Sequence, residues 1–161
     1  RDGKTYDLVE IGCQCWFAES LTYVTGNSWC YDNNTANCNT YGRLYDWQTA
    51  FTACPSGWHL PSENEWLELQ SYLNSVGDWM KSVSGWDPPH SEANNSSGFS
   101  GLPGGRYYNT FLYIGSQGYW WSSTENSSGL AYNINLTASY GGIINSWFPK
   151  TGGLSCRCIK D

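Results

Sequence analysis

The stretch CPSGWHLPSENEWLEL, from Cys54 to Leu69, restricts the fold of this chain most, because it joins a cysteine, a rigid turn and a helix start. Pro55 and Gly57 mark a turn, and Pro61 holds its predecessor Leu60 extended. Ser62, with Glu65 three residues later, forms a capping box that satisfies two helix N–H groups otherwise without partners. A helix is therefore predicted from Ser62. Trp66, Leu69 and Leu73 recur at i, i+3 and i+7, giving it one apolar face and leaving Glu63, Asn64 and Glu68 to water.

The chain of 161 residues is read as one domain, 1–161; a chain of that size buries about two-thirds of the surface its unfolded form exposes. Ten Trp, 12 Tyr and 18 Gly against one Met, with 14% charged residues, suit short strands, tight turns and ordered loops on an aromatic core. A net charge of −6 with 8 scattered basic residues argues against nucleic acid or an anionic membrane as partner. No stretch approaches the ~18 apolar residues of a membrane span, and Arg1 opens a polar stretch without a signal-peptide pattern. The expectation is a mature or trimmed chain with no membrane insertion. Cys13, Cys15, Cys30, Cys38, Cys54, Cys156 and Cys158 are too many for an ordinary reduced cytosolic protein and lack the C-x-x-C spacing of zinc sites. Disulfides outside the cytoplasm are expected.

GKTYDLVEIGCQCWF (3–17) alternates as a strand pair, with Tyr6, Leu8 and Ile11 on apolar faces and Gly12 at a turn or bulge. Cys30 and Cys38 bracket an Asn- and Thr-rich loop short enough for a disulfide to close. In YGRLYDWQTAFTAC, Leu44, Trp47, Phe51 and Cys54 stand at helical spacing, so a first helix from Tyr41 is expected beside the central one. Residues 74–100 read as a long loop anchored by Trp79 and Trp86. From 99 onward, FSGLPGGRYYNTFLYIG, GYWWSSTE, LAYNINL and LSCRCIKD are short β-prone runs.

Taken in order, IGCQCWFAESL, CYDNNTANCNTYGRLYDW, CPSGWHLPSENEW, GLPGGRYY, GYWWSSTE and LSCRCIKD resemble the Fibrobacter succinogenes major paralogous domain family over nearly the whole chain. More distantly, WHLPSENEW is similar to a segment of the formylglycine-generating enzyme group, which implies the C-type-lectin-like superfamily. The implied fold is α+β, disulfide-stabilised, with two helices, small antiparallel sheets joining the termini and a long irregular loop region. The resemblance also implies a Cys54–Cys158 bridge and adjacent first and last strands. Either Cys15 or Cys13 would then meet Cys156, since both C-x-C pairs project to one side of their strands. One thiol of that hairpin is left over, either as a buried free thiol or as a link to another copy.

GYWWSSTEN combines aromatics, hydroxyls and a carboxylate in the manner of a carbohydrate site. Adjacent strand residues face opposite ways, so one of Trp120 and Trp121 is expected in the core and the other free to touch a ligand, with Glu125 and Asn126 beside it. Arg106, Tyr107 and Tyr108 are candidates for the same surface. The resemblance suggests a calcium loop, for which Asp87, Glu92, Asn94, Asn95, Glu125 and Asn126 offer oxygens, but neither an EPN nor a QPD triplet occurs. No cofactor is assigned, and a structural calcium is the sole metal considered. Of the two histidines, His59 and His90, the first is read as a hydrogen-bonded structural residue. Sequons at Asn33, Asn94, Asn95, Asn126 and Asn135 indicate surface loops. No Ser, His and carboxylate set suggests an enzyme, and the formylglycine-type resemblance does not extend to a catalytic cysteine site.

The functional expectation is a non-enzymatic extracellular or cell-surface structural or adhesive domain that contacts copies of itself or other surface proteins, as in a self-assembling filament. The alternative is a carbohydrate-binding module reading glycans through exposed Trp and Tyr.

Overall fold

The structure, a computed structural model, describes residues 3–89 and 92–161, so Arg1 and His90 lie outside the described residues. The N-terminal run forms the expected hairpin, β1 (Leu8–Ile11) antiparallel to β2 (Gln14–Phe17), turning at Gly12 with φ +63. After β3 (Ser28–Trp29) come α1 (Thr35–Tyr41), β4 (Leu44–Tyr45), α2 (Trp47–Ala53), β5 (Trp58–His59) and α3 (Glu63–Tyr72). The rest is β6 (Gly104–Tyr108), β7 (Thr110–Ile114), β8 (Gln117–Ser127), β9 (Leu130–Thr137), β10 (Tyr140–Pro149), β11 (Leu154–Ser155) and β12 (Ile159–Lys160).

The central helix α3 starts as its sequence dictates: Ser62 and Glu65 form the full capping box, and Trp66, Leu69 and Leu73 are buried. Two helical expectations change. The helix expected from Tyr41 begins only at Trp47, because Asp46 caps it by accepting a hydrogen bond from the Thr49 N–H (2.8 Å), while Leu44 and Tyr45 pair with β11. Phe51 consequently lies half exposed rather than on a buried stripe. A third helix, α1, occupies the Asn- and Thr-rich disulfide loop. Asn34 caps it by accepting from the Ala36 N–H (3.0 Å), and Cys38 is its buried residue.

Two sheets organise the chain. The smaller has the order β1-β2-β12-β5, so strands near the two ends lie side by side, and the Phe17 N–H donates to the Cys158 carbonyl (3.0 Å). Leu8, expected on an apolar face, is exposed because β1 is the edge of that sheet. The larger sheet has the order β10-β9-β8-β11-β4-β3, with β6 pairing parallel to β8 and antiparallel to β7. One hydrophobic cluster gathers Phe17, Leu21, Tyr45, Leu60, Trp121 and Leu154; the other gathers Trp16, Trp66, Leu69, Phe99, Trp120 and Ile134. Strand β8 contributes to both.

The long loop is anchored by Trp86, buried with its indole N–H donating to the Gly101 carbonyl (3.2 Å), and by the partly buried Trp79. It has a third anchor that the sequence did not announce. Lys81 is fully buried, its Nζ bonded to Asp78 Oδ1 (2.9 Å) and to the Tyr140 carbonyl (2.7 Å), which ties the loop to the start of β10.

Candidate functional site: an uncharged sheet edge

Both tryptophans of GYWWSSTEN are at 0% exposure, which corrects the expectation that one faces a ligand. Alternation does place them on opposite faces of β8, but each face is covered by one of the two clusters. Their indole N–H groups are also used internally, Trp120 donating to Ser20 Oγ (3.1 Å) and Trp121 to the Tyr45 carbonyl (2.7 Å). Glu125 and Asn126 lie exposed at the far end of β8. The Glu125 carboxylate pairs with Lys150 Nζ, which in turn sits 4.4 Å from the centre of the Trp47 ring.

The other candidates form an aromatic cage rather than an open platform. The Arg106 guanidinium lies over Phe148 (4.8 Å), Tyr113 (5.0 Å) and Tyr119 (5.6 Å), and its Nε is buried without a partner. Burial pushes the Tyr119 hydroxyl pKa upward, with Arg106 opposing the shift. Tyr107 stacks between Trp29 (4.6 Å) and Phe111 (4.8 Å), and Tyr108 meets the edge of Phe148 (5.7 Å), which also packs on Trp121 (6.1 Å). Phe148 thus brings Arg106, Tyr108 and Trp121 together, while Glu125 pairs with Lys150 and Asn126 lies exposed next to it.

The calcium candidates are engaged locally. Asn94 accepts from the Ser96 N–H (3.0 Å), Asn95 accepts from the Ser100 N–H (2.7 Å), and Asp87 lies against Gly115. Asn135, expected on a surface loop, is buried in β9 and donates to the Gly118 carbonyl (3.0 Å), so that sequon is closed in the folded chain. His59 bridges two carboxylates, through Nδ1 to Asp161 Oδ1 (2.7 Å) and Nε2 to Glu65 Oε1 (2.8 Å). Burial pulls its pKa down, but the hydrogen bonds and charges of Asp161 and Glu65 outweigh that and raise it. Burial pushes Glu65 up, but hydrogen bonds from the Ser62 N–H and hydroxyl, with the hydrogen bond and charge of His59, outweigh that and hold it below its ordinary value.

The cysteines follow the expectation in part. Cys30–Cys38 and Cys54–Cys158 are disulfides, but Cys156 bonds neither Cys15 nor Cys13. The two C-x-C pairs do not meet: Cys156 turns into the core with its Sγ 3.8 Å from that of Cys54, whereas Cys13 is exposed at the hairpin turn and Cys15 is half-buried. Three thiols rather than one are therefore free. Burial pushes the Cys156 thiol up to about 12, with Arg157 opposing, so it stays protonated. Cys54, Cys156 and Cys158 bring three sulfurs within 4.8 Å of one another, but Cys54 and Cys158 are already bonded to each other.

What remains open is an edge. Strand β10 ends the larger sheet, and its ten residues carry no charge. Val76 bridges Gly142, and a bulge interrupts pairing between Tyr140 and Ile144. Beyond that, from Ile144 to Pro149, no strand among the described residues pairs with its outer side. Trp147 stands in this stretch at 59% exposure. Sequence reasoning missed it: IINSWFP is visibly β-prone and uncharged, but its place at the end of a sheet is a property of the topology.

A family model described as Fibrobacter succinogenes major domain matches residues 9–160, and the chain belongs to that family. No curated protein and no solved structure matches it.

Proposed function

We propose that this member of the Fibrobacter succinogenes major domain family is a non-enzymatic structural or adhesive domain at the cell surface that assembles with copies of itself through the outer edge of β10. The carrying observation is the uncharged stretch Ile144–Pro149, whose outer side pairs with no strand among the described residues, with its exposed Trp147. Natural sheets usually protect an edge with charges, prolines, bulges or a covering segment. Here Pro149 and the bulge bracket the stretch, but between them the outward-facing backbone groups have no strand partner among the described residues over roughly 20 Å. An exposed Trp beside such an edge supplies contact area at little conformational cost. Two disulfides favour an oxidising compartment.

The architecture that accompanies this reading is C-type-lectin-like. It is supported by the adjacent strands near the chain ends, the Cys54–Cys158 bridge from the end of α2 to the segment before β12, and the long loop before β6. Reading glycans through Trp120 and Trp121 has no support from their burial.

Sedimentation velocity across a concentration series tests the proposal. Wild-type protein is expected to form oligomers that grow with concentration, and Trp147→Lys, which adds a charge to the edge, is expected to remain monomeric with an unchanged melting temperature. A wild type that is monomeric throughout, or a variant that assembles equally well, overturns it.

A further inference from the structure

Two hollows adjoin where the segments before β1 and after β2 meet α1 and the end of α2, and Lys4 and Tyr23 line both of them. The first, of about 250 Å³, is apolar: Tyr6, Phe17, Leu21 and Trp58 form its wall beside the exposed Leu8. Its rings are held in place by their own neighbours. Tyr6 lies parallel to Phe17 at 4.7 Å, with 8° between the planes, and Phe17 packs on Trp58 at 4.5 Å. The Tyr6 hydroxyl oxygen also accepts from the Thr22 N–H (3.2 Å).

The second hollow, of about 340 Å³, runs beside the Cys30–Cys38 disulfide and is lined by Lys4, Thr22, Val24 and Arg43. Lys4 and Val24 are exposed and Arg43 is half-buried, so this wall is within reach of a ligand. Neutral acceptors orient Arg43: Nε donates to Ser28 Oγ (3.0 Å), Nη2 to the Ser28 carbonyl (2.8 Å) and Nη1 to the two disulfide sulfurs (3.4 and 3.5 Å). One Nη2 hydrogen is left over, and no carboxylate among the described residues forms an ion pair with the guanidinium. Among the described residues, no Asp or Glu lines either hollow, although the chain has 14 acidic residues against 8 basic ones. Two cations without a carboxylate make a locally positive recess on a molecule of net charge −6.

We propose that the paired hollows bind an arylalkanoate, a small monoanion with its aromatic ring in the first hollow and its carboxylate in the second, facing Lys4 and Arg43. Roughly 150 Å³ of apolar cavity already holds a benzene ring, so the first hollow has room for one ring and not for a long acyl chain. A short methylene chain then carries the carboxylate past Lys4 and Tyr23. Burial of the ring supplies non-directional attraction, and the two cations select the charged head. Inorganic phosphate would leave the ring-lined half empty, and an uncharged ring would gain nothing from the positive half. None of the lining residues lies on β10, so the inference stands independently of self-assembly.

The test is calorimetric titration of the whole protein with phenylpropanoate, phenylpropanol, propanoate and inorganic phosphate in turn. Indole fluorescence gives a second readout, because Trp58 lines the first hollow. Phenylpropanoate is expected to bind at least about tenfold more tightly than the other three. Lys4→Gln should weaken it severalfold. Val24→Glu, which adds a carboxylate at an exposed wall position, should do so more strongly without altering the melting temperature, and it keeps the test valid if Arg43→Gln does not fold. Equal binding of phenylpropanol would show that no charge is read, and equal binding of propanoate or phosphate that no ring is read. Undiminished binding in Val24→Glu would place the carboxylate elsewhere, and absence of phenylpropanoate binding would remove the site; each of these overturns the proposal.

Discussion

Trp147 lies directly across from Tyr132 in the β9–β10 ribbon, on the strand that ends the larger sheet. Its neighbour Phe148 points the other way into the core, packing on Trp121 and under Arg106. One strand thus carries an interior anchor and an exposed aromatic side by side. Trp147→Ala should leave stability within about 0.5 kcal/mol of wild type, whereas Trp121→Ala should cost about 3–5 kcal/mol. Urea denaturation of the two variants measures both, and a large loss at Trp147 would mean that it serves the monomer fold.

Cys54–Cys158 closes a loop with a sequence separation of 104 and Cys30–Cys38 one of 8. Chain entropy assigns them about 4.7 and ~2.6 kcal/mol. Cys156 alters the expected result, because its Sγ is already 3.8 Å from that of Cys54. In Cys158→Ser it can take over the bond to Cys54, so the single variant should lose less stability than Cys156→Ser/Cys158→Ser. Non-reducing peptide mapping should find Cys54–Cys156 in the single variant; a free Cys54 there would contradict the prediction.

The legible parts of this fold were local ones. Ser62 and Glu65 fixed the start of α3, Gly12 the hairpin turn, and Cys30 and Cys38 their own bridge, each because the interacting groups are close in sequence. Helix α1 was not legible, since it lacks an apolar period and depends on the Asn34 cap and the disulfide at Cys38. The burial of both Trp120 and Trp121 was hidden for another reason: alternation shows that two residues face opposite ways, not that both faces are covered. Arg157 carries no local signal either. Its burial rests on the Phe17 and Phe99 carbonyls, 140 and 58 residues away in sequence.

Lys81 and Asp78 form a buried pair that fastens the long loop to β10. Removing one partner of such a buried pair commonly costs about 3–5 kcal/mol. Lys81→Ala should therefore lower stability by about that amount and speed amide exchange in residues 77–101. A loss below about 1 kcal/mol would mean that the Lys81–Asp78 pair contributes little to fastening the loop.

The His59 bridge sets a pH dependence. Its folded pKa is raised, so its contribution is complete below the ordinary value of 6.5 and is lost as pH rises through the folded value. Glu65 has a lowered pKa, so its contribution is complete above 4.5 and is lost as pH falls through its folded value. The bridge should stabilise most between those ordinary values, by a modest amount since His59 is 40% exposed. His59→Gln should flatten the melting-temperature profile across that window; an unchanged profile would show that the bridge contributes nothing.

Electron microscopy of the wild-type protein beside Trp147→Lys distinguishes assembly through β10 from a monomer. Ordered assemblies in which neighbouring copies meet along Ile144–Pro149 are expected for wild type, and their loss in the variant. Dispersed single particles of wild type at every concentration, or assemblies that leave this edge in solvent, would contradict it.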